Sequence, residues 1–179
     1  NEYAFANCNG FDEIIFTNFL TKIDSYAFYS SEGFKKSLIL PKYLTTIEDY
    51  SFYSCTNFSN QLFIHKYIHY IGRKAFFLNN FSKILFNGKQ EPFCDSETFH
   101  QSLSSQKPVF VKDRYESNQF CSYKAEYDEN IRKEFKEAKK EVLSSIAKMR
   151  ENSTTEIETK LKIDAETKIE PELETNTEI

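Results

Sequence analysis

Three sets of side chains in this chain are of types that carry chemistry. His65 and His69 form an H-x-x-x-H pair, a spacing that on a helix turns two imidazoles toward one metal ion. Here the neighbouring glutamate of a metalloprotease is missing, and the pair falls on a segment that reads as a strand running into a turn. Surface turn histidines are therefore the stronger reading. Cys8, Cys55, Cys94 and Cys121 are few for a disulfide scaffold and lack C-x-x-C spacing for zinc. The carboxylates Asp24, Glu48 and Asp49 fall in turns, where solvent or local hydrogen bonding is the ordinary role and a glycosidase pair the minor one. Gly10, Gly33, Gly72 and Gly88 are isolated, so no phosphate-cradling loop can be built. No G-x-S-x-G elbow exists either. The residues offer no catalytic centre, no cofactor site and no metal site, and the chain reads as a non-enzyme.

The elements that hold these residues are repeats. Ala4-Phe5 returns as Ala27-Phe28, Ser51-Phe52, Ala75-Phe76 and Thr98-Phe99, at steps of 23, 24, 24 and 23 residues. A second Phe keeps phase at Phe11, Phe34, Phe58 and Phe81. Short apolar triplets follow at Ile14-Ile15-Phe16, Leu38-Ile39-Leu40, Leu62-Phe63-Ile64, Ile84-Leu85-Phe86 and Val109-Phe110-Val111. An L-x-x-I element recurs at Leu20/Ile23, Leu44/Ile47 and, with Ile first, Ile68/Ile71. Two dozen residues cannot enclose a core alone, so each unit must stack on its neighbour. The triplets suit one short β-strand per 23–24-residue coil of a solenoid. Alternation turns the first and third members of each triplet inward. Cys8, Ser31 and Cys55 occupy equivalent positions three residues after the Phe. They read as a ladder of small buried residues, with Cys8 and Cys55 two coils apart and beyond disulfide reach.

The string Leu44-Thr-Thr-Ile47-Glu-Asp-Tyr-Ser-Phe52-Tyr-Ser-Cys55, preceded by Leu38-Ile-Leu-Pro41, resembles the BspA-like leucine-rich repeats, as does Leu20-Thr-Lys-Ile23-Asp-Ser-Tyr-Ala-Phe28. The resemblance covers about residues 1–124, or about five coils. It implies a repeat solenoid of leucine-rich-repeat type and a protein-binding surface antigen or adhesin-like role, at the cell surface or secreted. The fourth and fifth copies lack the L-x-x-I element, and no cap precedes Ala4, so the array is expected to be incomplete at its N-terminal end.

The remainder has another composition. Residues 126–179 hold 15 acidic and 10 basic side chains but only Tyr127 and Phe135 of the 29 aromatics. Within 128–150, Ile131, Phe135, Ala138, Val142, Ile146 and Met149 recur at helical spacing, predicting an amphipathic helix. Ile131, Phe135, Val142 and Ile146 are its candidate interface, either with the repeats or with a second copy. Residues 151–179, rich in Thr, Glu and Lys, read as a disordered charged tail. The net charge of −4 over 179 residues argues against a general nucleic-acid binder. No run of about 18 apolar residues is present to span a membrane. Sequons at Asn57, Asn80 and Asn152 are as many as chance supplies.

One column is a candidate contact surface. Ile15, Ile39, Phe63, Leu85 and Phe110 are the middle members of the triplets, and alternation turns them away from the interior. Polar or mixed columns flank them at Glu13, Ser37, Gln61 and Lys83 and at Thr17, Pro41, His65 and Asn87. An apolar ridge so framed suits a protein partner; intrinsic strand preference explains it equally well. A second column, Tyr3, Tyr26, Tyr50 and Lys74, reads as packing between coils. The functional expectation is a non-catalytic protein-binding scaffold. The alternative is an intracellular, cytoplasmic assembly protein that oligomerises through its helix.

Overall fold

The computed structural model describes residues 1–10, 12–58, 60–102 and 108–169, with side chains as far as Thr155. Phe11 and the end of the charged tail lie outside the described residues. The chain forms two units, Asn1–Ala138 and the segment from Lys139 onward.

In the first unit the triplets from Leu38 onward make a parallel array, whereas Ile14-Ile15-Phe16 forms no strand. Strands β2 (Leu38–Ile39), β4 (Gln61–Ile64), β6 (Lys83–Phe86), β7 (Val109–Val111), β8 (Gln119–Phe120) and β9 (Tyr123–Tyr127) form one sheet in the order β2-β4-β6-β7-β9-β8. Only the last pair is antiparallel, closed by Cys121 and Ser122 with φ of 48° and 68°. Two left-handed residues are what a two-residue hairpin turn needs to follow the strand twist. The L-x-x-I elements add a second, two-residue strand to three coils: β1 (Lys22–Ile23), β3 (Thr46–Ile47) and β5 (Tyr70–Ile71) form a parallel sheet β1-β3-β5. A coil thus has two strands where the triplets alone accounted for one, because the Ile side chains at 23, 47 and 71 are buried and straighten the chain beside them.

The third side of each coil has no strands and is held by rings. Phe5, Phe28, Phe52, Phe76 and Phe99 stack in one file, with centroids 5.2, 4.9, 5.2 and 5.2 Å apart and planes within 6° of parallel. Phe34, Phe58 and Phe81 form a second file, and edge-on contacts such as Phe28–Phe34 at 6.0 Å lock the two together. Main-chain bonds run between coils here too, from Phe28 N to Ser51 O (2.7 Å), Phe52 N to Ala75 O (2.8 Å) and Phe76 N to Thr98 O (2.9 Å). To reach these partners the chain takes φ near 55° at Tyr3, Tyr26, Tyr50 and Lys74, and again four residues later at Asn7, Ser30, Ser54 and Leu78. Such a conformation costs a non-glycine residue about 1–2 kcal/mol. The bonds and rings on both sides of the turn hold it in place.

The small-residue position three after each Phe is a polar rung. Cys55 Sγ donates to Phe28 O at 3.0 Å, Asn79 Nδ2 to Phe52 O at 2.9 Å, Ser31 Oγ to Phe5 O and Ser102 Oγ to Phe76 O. Every rung satisfies a carbonyl of the coil before it, which is why the position takes short hydrogen-bonding side chains. Cys8 and Cys55 are free thiols. Burial pushes the Cys55 thiol up to about 12.

The one helix among the described residues, α1, runs Ile131–Ile169. Residues 151–169, expected from composition to lack structure, continue it beyond the boundary at 150. Glu, Lys and Ala are good helix formers. Ser153, Thr154 and Thr155 also tie their hydroxyls to the carbonyls of Met149, Arg150 and Glu151, each at 2.9 Å. No helix among the described residues is long and apolar enough to cross a membrane.

Candidate protein-contact face

Strand register brings the middle residues of the triplets into one row. Ile39 lies opposite Phe63, Phe63 opposite Leu85, and Leu85 opposite Phe110. The next partner is Glu126 on β9, where the apolar row ends. Ile15, before the first strand, is half-buried. Phe63 and Leu85 do not face solvent. Together with Ile131, Phe135 and Ala138 they form a buried cluster separate from the solenoid core, with Ile39 and Phe110 packed at its margins. The first two turns of α1 therefore cover the middle of the row. Phe135 meets Phe63 edge-on at 5.1 Å and the ring of His65 at 5.0 Å.

Charge frames the cluster. Lys83 Nζ lies 2.7 Å from an oxygen of Asp128 and 2.7 Å from one of Glu134, and 4.5 Å above the Phe110 ring. Gln61 Nε2 donates to Glu134 at 3.2 Å. Asp128 also accepts from Asn130 N at 2.8 Å and so shapes the turn that starts the helix. The hydrogen bond from Lys83 holds the Asp128 carboxyl below the usual carboxylate range, against the upward push of burial. For Lys83, burial is the largest influence and acts downward. The two carboxylates together outweigh it, and its pKa is raised.

Of the residues singled out in the helix, Ile131 and Phe135 thus meet the sheet, whereas Val142 and Ile146 belong to the second unit and are half-exposed. The Lys83–Asp128–Glu134 group was not foreseen. Its trace in the sequence is opposite charge at the edges of two apolar stripes, Lys83 beside the strand row and Glu134 beside the helical one.

The other chemistry-bearing residues serve the coils. Asp49 Oδ1 accepts from Tyr70 OH (3.2 Å) and Arg73 N (2.8 Å), and a Cβ at Gly72 would collide with this carboxylate and its backbone. Asp24 and Glu48 both pair with Lys22, at 3.3 and 3.0 Å. His69 is exposed, and its N–H bonds to Thr45 O at 2.8 Å. Tyr3, Tyr26 and Tyr50 stack at 4.9 and 5.0 Å. Cys94 and Cys121, to which the sequence assigns no partner, form a disulfide with Cα atoms 5.2 Å apart. The Glu91 carboxylate lies beside both sulfurs, but their bond leaves no thiolate there for a metal.

The model of the BspA type leucine rich repeat region matches residues 1–108, in six copies. No curated protein and no solved structure matches the chain. The stacked coils, their Phe files and this match agree: the chain belongs to the BspA-type leucine-rich repeat family.

Proposed function

We propose that the chain is a non-catalytic protein-binding scaffold with a surface-antigen or adhesin-like role. One observation supports this above others: the apolar row on the larger sheet already receives an amphipathic helix through Phe63 and Leu85. A face that takes one helix offers, at Ile15 and Ile39, apolar surface of the same kind to a partner. The Cys94–Cys121 disulfide favours an oxidising compartment and hence export. The test is capture of extracellular proteins by the immobilised chain, compared with Ile15→Asp and Ile39→Asp variants. A central charge in the contact should weaken capture about tenfold or more while leaving the melting transition cooperative. Unchanged capture by both variants would remove the row as the contact surface.

A second reading rests on the helix. Its 39 residues extend well past Ala138, and Val142 and Ile146 remain half-exposed, as self-association through α1 would require. Light scattering of the full chain against a Val142→Asp, Ile146→Asp variant decides it. A monomer in both cases excludes assembly through this stripe.

A further inference from the structure

One lysine per coil follows the strand of the larger sheet: Lys42 after β2, Lys66 after β4, Lys89 after β6 and Lys112 after β7. The spacings of 24, 23 and 23 residues match the repeat. Counted from the paired strand residues Leu38, Leu62, Ile84 and Val109, they lie four, four, five and three residues on, so each coil carries one at the same corner, in a row that is not strictly in register. Lys66, Lys89 and Lys112 line a single open cleft with His69. Elsewhere in the first unit Lys22, Lys35, Lys36, Lys83 and Lys124 are each neutralised by a carboxylate. Among the described residues, none of the four lysines in the row forms an ion pair. Two carboxylates reach the cleft, yet both are engaged by neutral donors: Glu91 by Cys121 N, and Glu116 by Gln90 Nε2 at 3.0 Å. A neutral donor leaves a carboxylate charged, so the four ammonium groups face the two negative charges of Glu91 and Glu116 and the row stays net positive, on a chain of net charge −4. Burial, and then the charges of Lys66, Lys89 and Arg132, lower the Lys112 pKa, as mutual repulsion along such a row would.

Aromatic side chains accompany the lysines. Phe19, Tyr43 and Tyr67 recur at 24-residue steps, all exposed. Tyr43 and Tyr67 stack on each other at 5.8 Å, and Lys42 and Lys66 each lie 4.6 Å from the centroid of the adjacent ring. Lys42 Nζ also donates to Tyr43 OH at 3.0 Å. Each tyrosine ring thus has the other ring stacked on it and an ammonium group beside it.

We propose that this row binds a linear anionic polysaccharide, sulfated or uronic-acid-containing, laid along the solenoid axis. Ammonium groups repeating at the coil rise of about 4.8 Å match a polymer with an anionic group on nearly every unit, and a compact anion would meet only one or two of them. With Tyr43 and Tyr67 stacked on each other, Phe19 is left as the open ring of the column, fewer platforms than single-stranded nucleic acid uses for successive bases. Hydroxyl and ammonium donors side by side suit sugar hydroxyls and their sulfates or carboxylates. The corner carrying the row is distinct from the sheet face proposed to bind protein, so either site can fail without the other.

The test measures binding of the full chain to heparin, to single-stranded DNA of equal charge and to phosphatidylserine–phosphatidylcholine vesicles, all at physiological ionic strength. Heparin should bind most tightly. A Lys42→Gln, Lys66→Gln, Lys89→Gln variant should lose about tenfold or more, and its salt dependence should flatten by about one unit of slope per lysine removed. A Lys35→Gln, Lys36→Gln variant, whose lysines are paired with Asp12 and Glu13, should bind as the parent does. The proposal is overturned if heparin does not bind the parent chain, if DNA or vesicles bind more tightly, or if the folded triple variant binds heparin undiminished.

Discussion

The ring of Phe135, on the second turn of α1, stands at 83° to the ring of Phe63 in the middle of the sheet. Around this contact the helix buries Ile131 and Ala138 as well. It thereby removes from water the part of the apolar row that a soluble protein could least afford to leave open. Truncating a ring at such a site forfeits its transfer energy and leaves a cavity. Phe135→Ala should therefore lower stability by about 3 kcal/mol in denaturant titration. A loss below about 1 kcal/mol would mean that the helix lies on the sheet without being held by it.

The charges at the rim give this docking a pH window. Asp128 has its pKa lowered by the Lys83 hydrogen bond, so the folded chain holds that proton more weakly than the unfolded one. Its stabilisation is complete above the ordinary aspartate value and is lost as pH falls through the folded value. Lys83 is raised despite burial, so its share is present below the ordinary lysine value and lost as pH rises through the folded one. Docking should be level between about pH 5 and 9 and weaken toward pH 3, read as faster amide exchange over residues 131–138. Lys83→Gln should abolish most of that acid sensitivity; an acid profile identical to the parent's would place its origin elsewhere.

What the sequence makes legible depends on period. The file of Phe5, Phe28, Phe52, Phe76 and Phe99 was readable because one side chain recurs at one place in every coil. The inward pairs such as Leu38/Leu40 and Ile84/Phe86 followed from strand alternation. What periodicity cannot carry is a contact made once. The Cys94–Cys121 bond joins a loop to a hairpin turn, and its partners share no repeat position. The Lys83 triad joins a coil to a turn 45 residues away and to a helix 51 residues away. The extent of the helix past 150 was not legible for a different reason. Thr- and Glu-rich composition signals low burial, and low burial does not prevent a helix from continuing once nucleated.

The disulfide closes a loop of 27 residues and ties the β8–β9 hairpin to the segment before Thr98. By loop entropy its removal should cost about 3–4 kcal/mol. Cys94→Ser with Cys121→Ser, or reduction of the parent, should lower the melting temperature by that equivalent and expose residues 115–127 to protease first. The coils around Phe28 and Phe52 should stay protected longer. Uniform loss of protection along the chain would show that the bond staples the whole solenoid and not its last turn.

The polar rungs make the sharpest prediction, because each coil is a control for the next. Asn79 donates to Phe52 O through Nδ2, while its Oδ1 is buried with no partner among the described residues. Asn79→Ala would leave the Phe52 carbonyl without its donor and should cost about 1–3 kcal/mol. Asn79→Ser installs the group that already serves Phe5 O and Phe76 O from Ser31 and Ser102 and also removes the orphaned oxygen. It should be distinctly milder than alanine in parallel denaturant titrations. The thiol at the equivalent position of the preceding coil reports the same geometry without mutation. Cys55, fully buried and pushed up to about 12, should resist alkylation at neutral pH until the protein unfolds, whereas Cys8, at the more open end of the ladder, should react in the folded state. Equal rates for the two thiols in the native protein would mean that the rung is not closed, and the serine and alanine variants would then be expected to differ little.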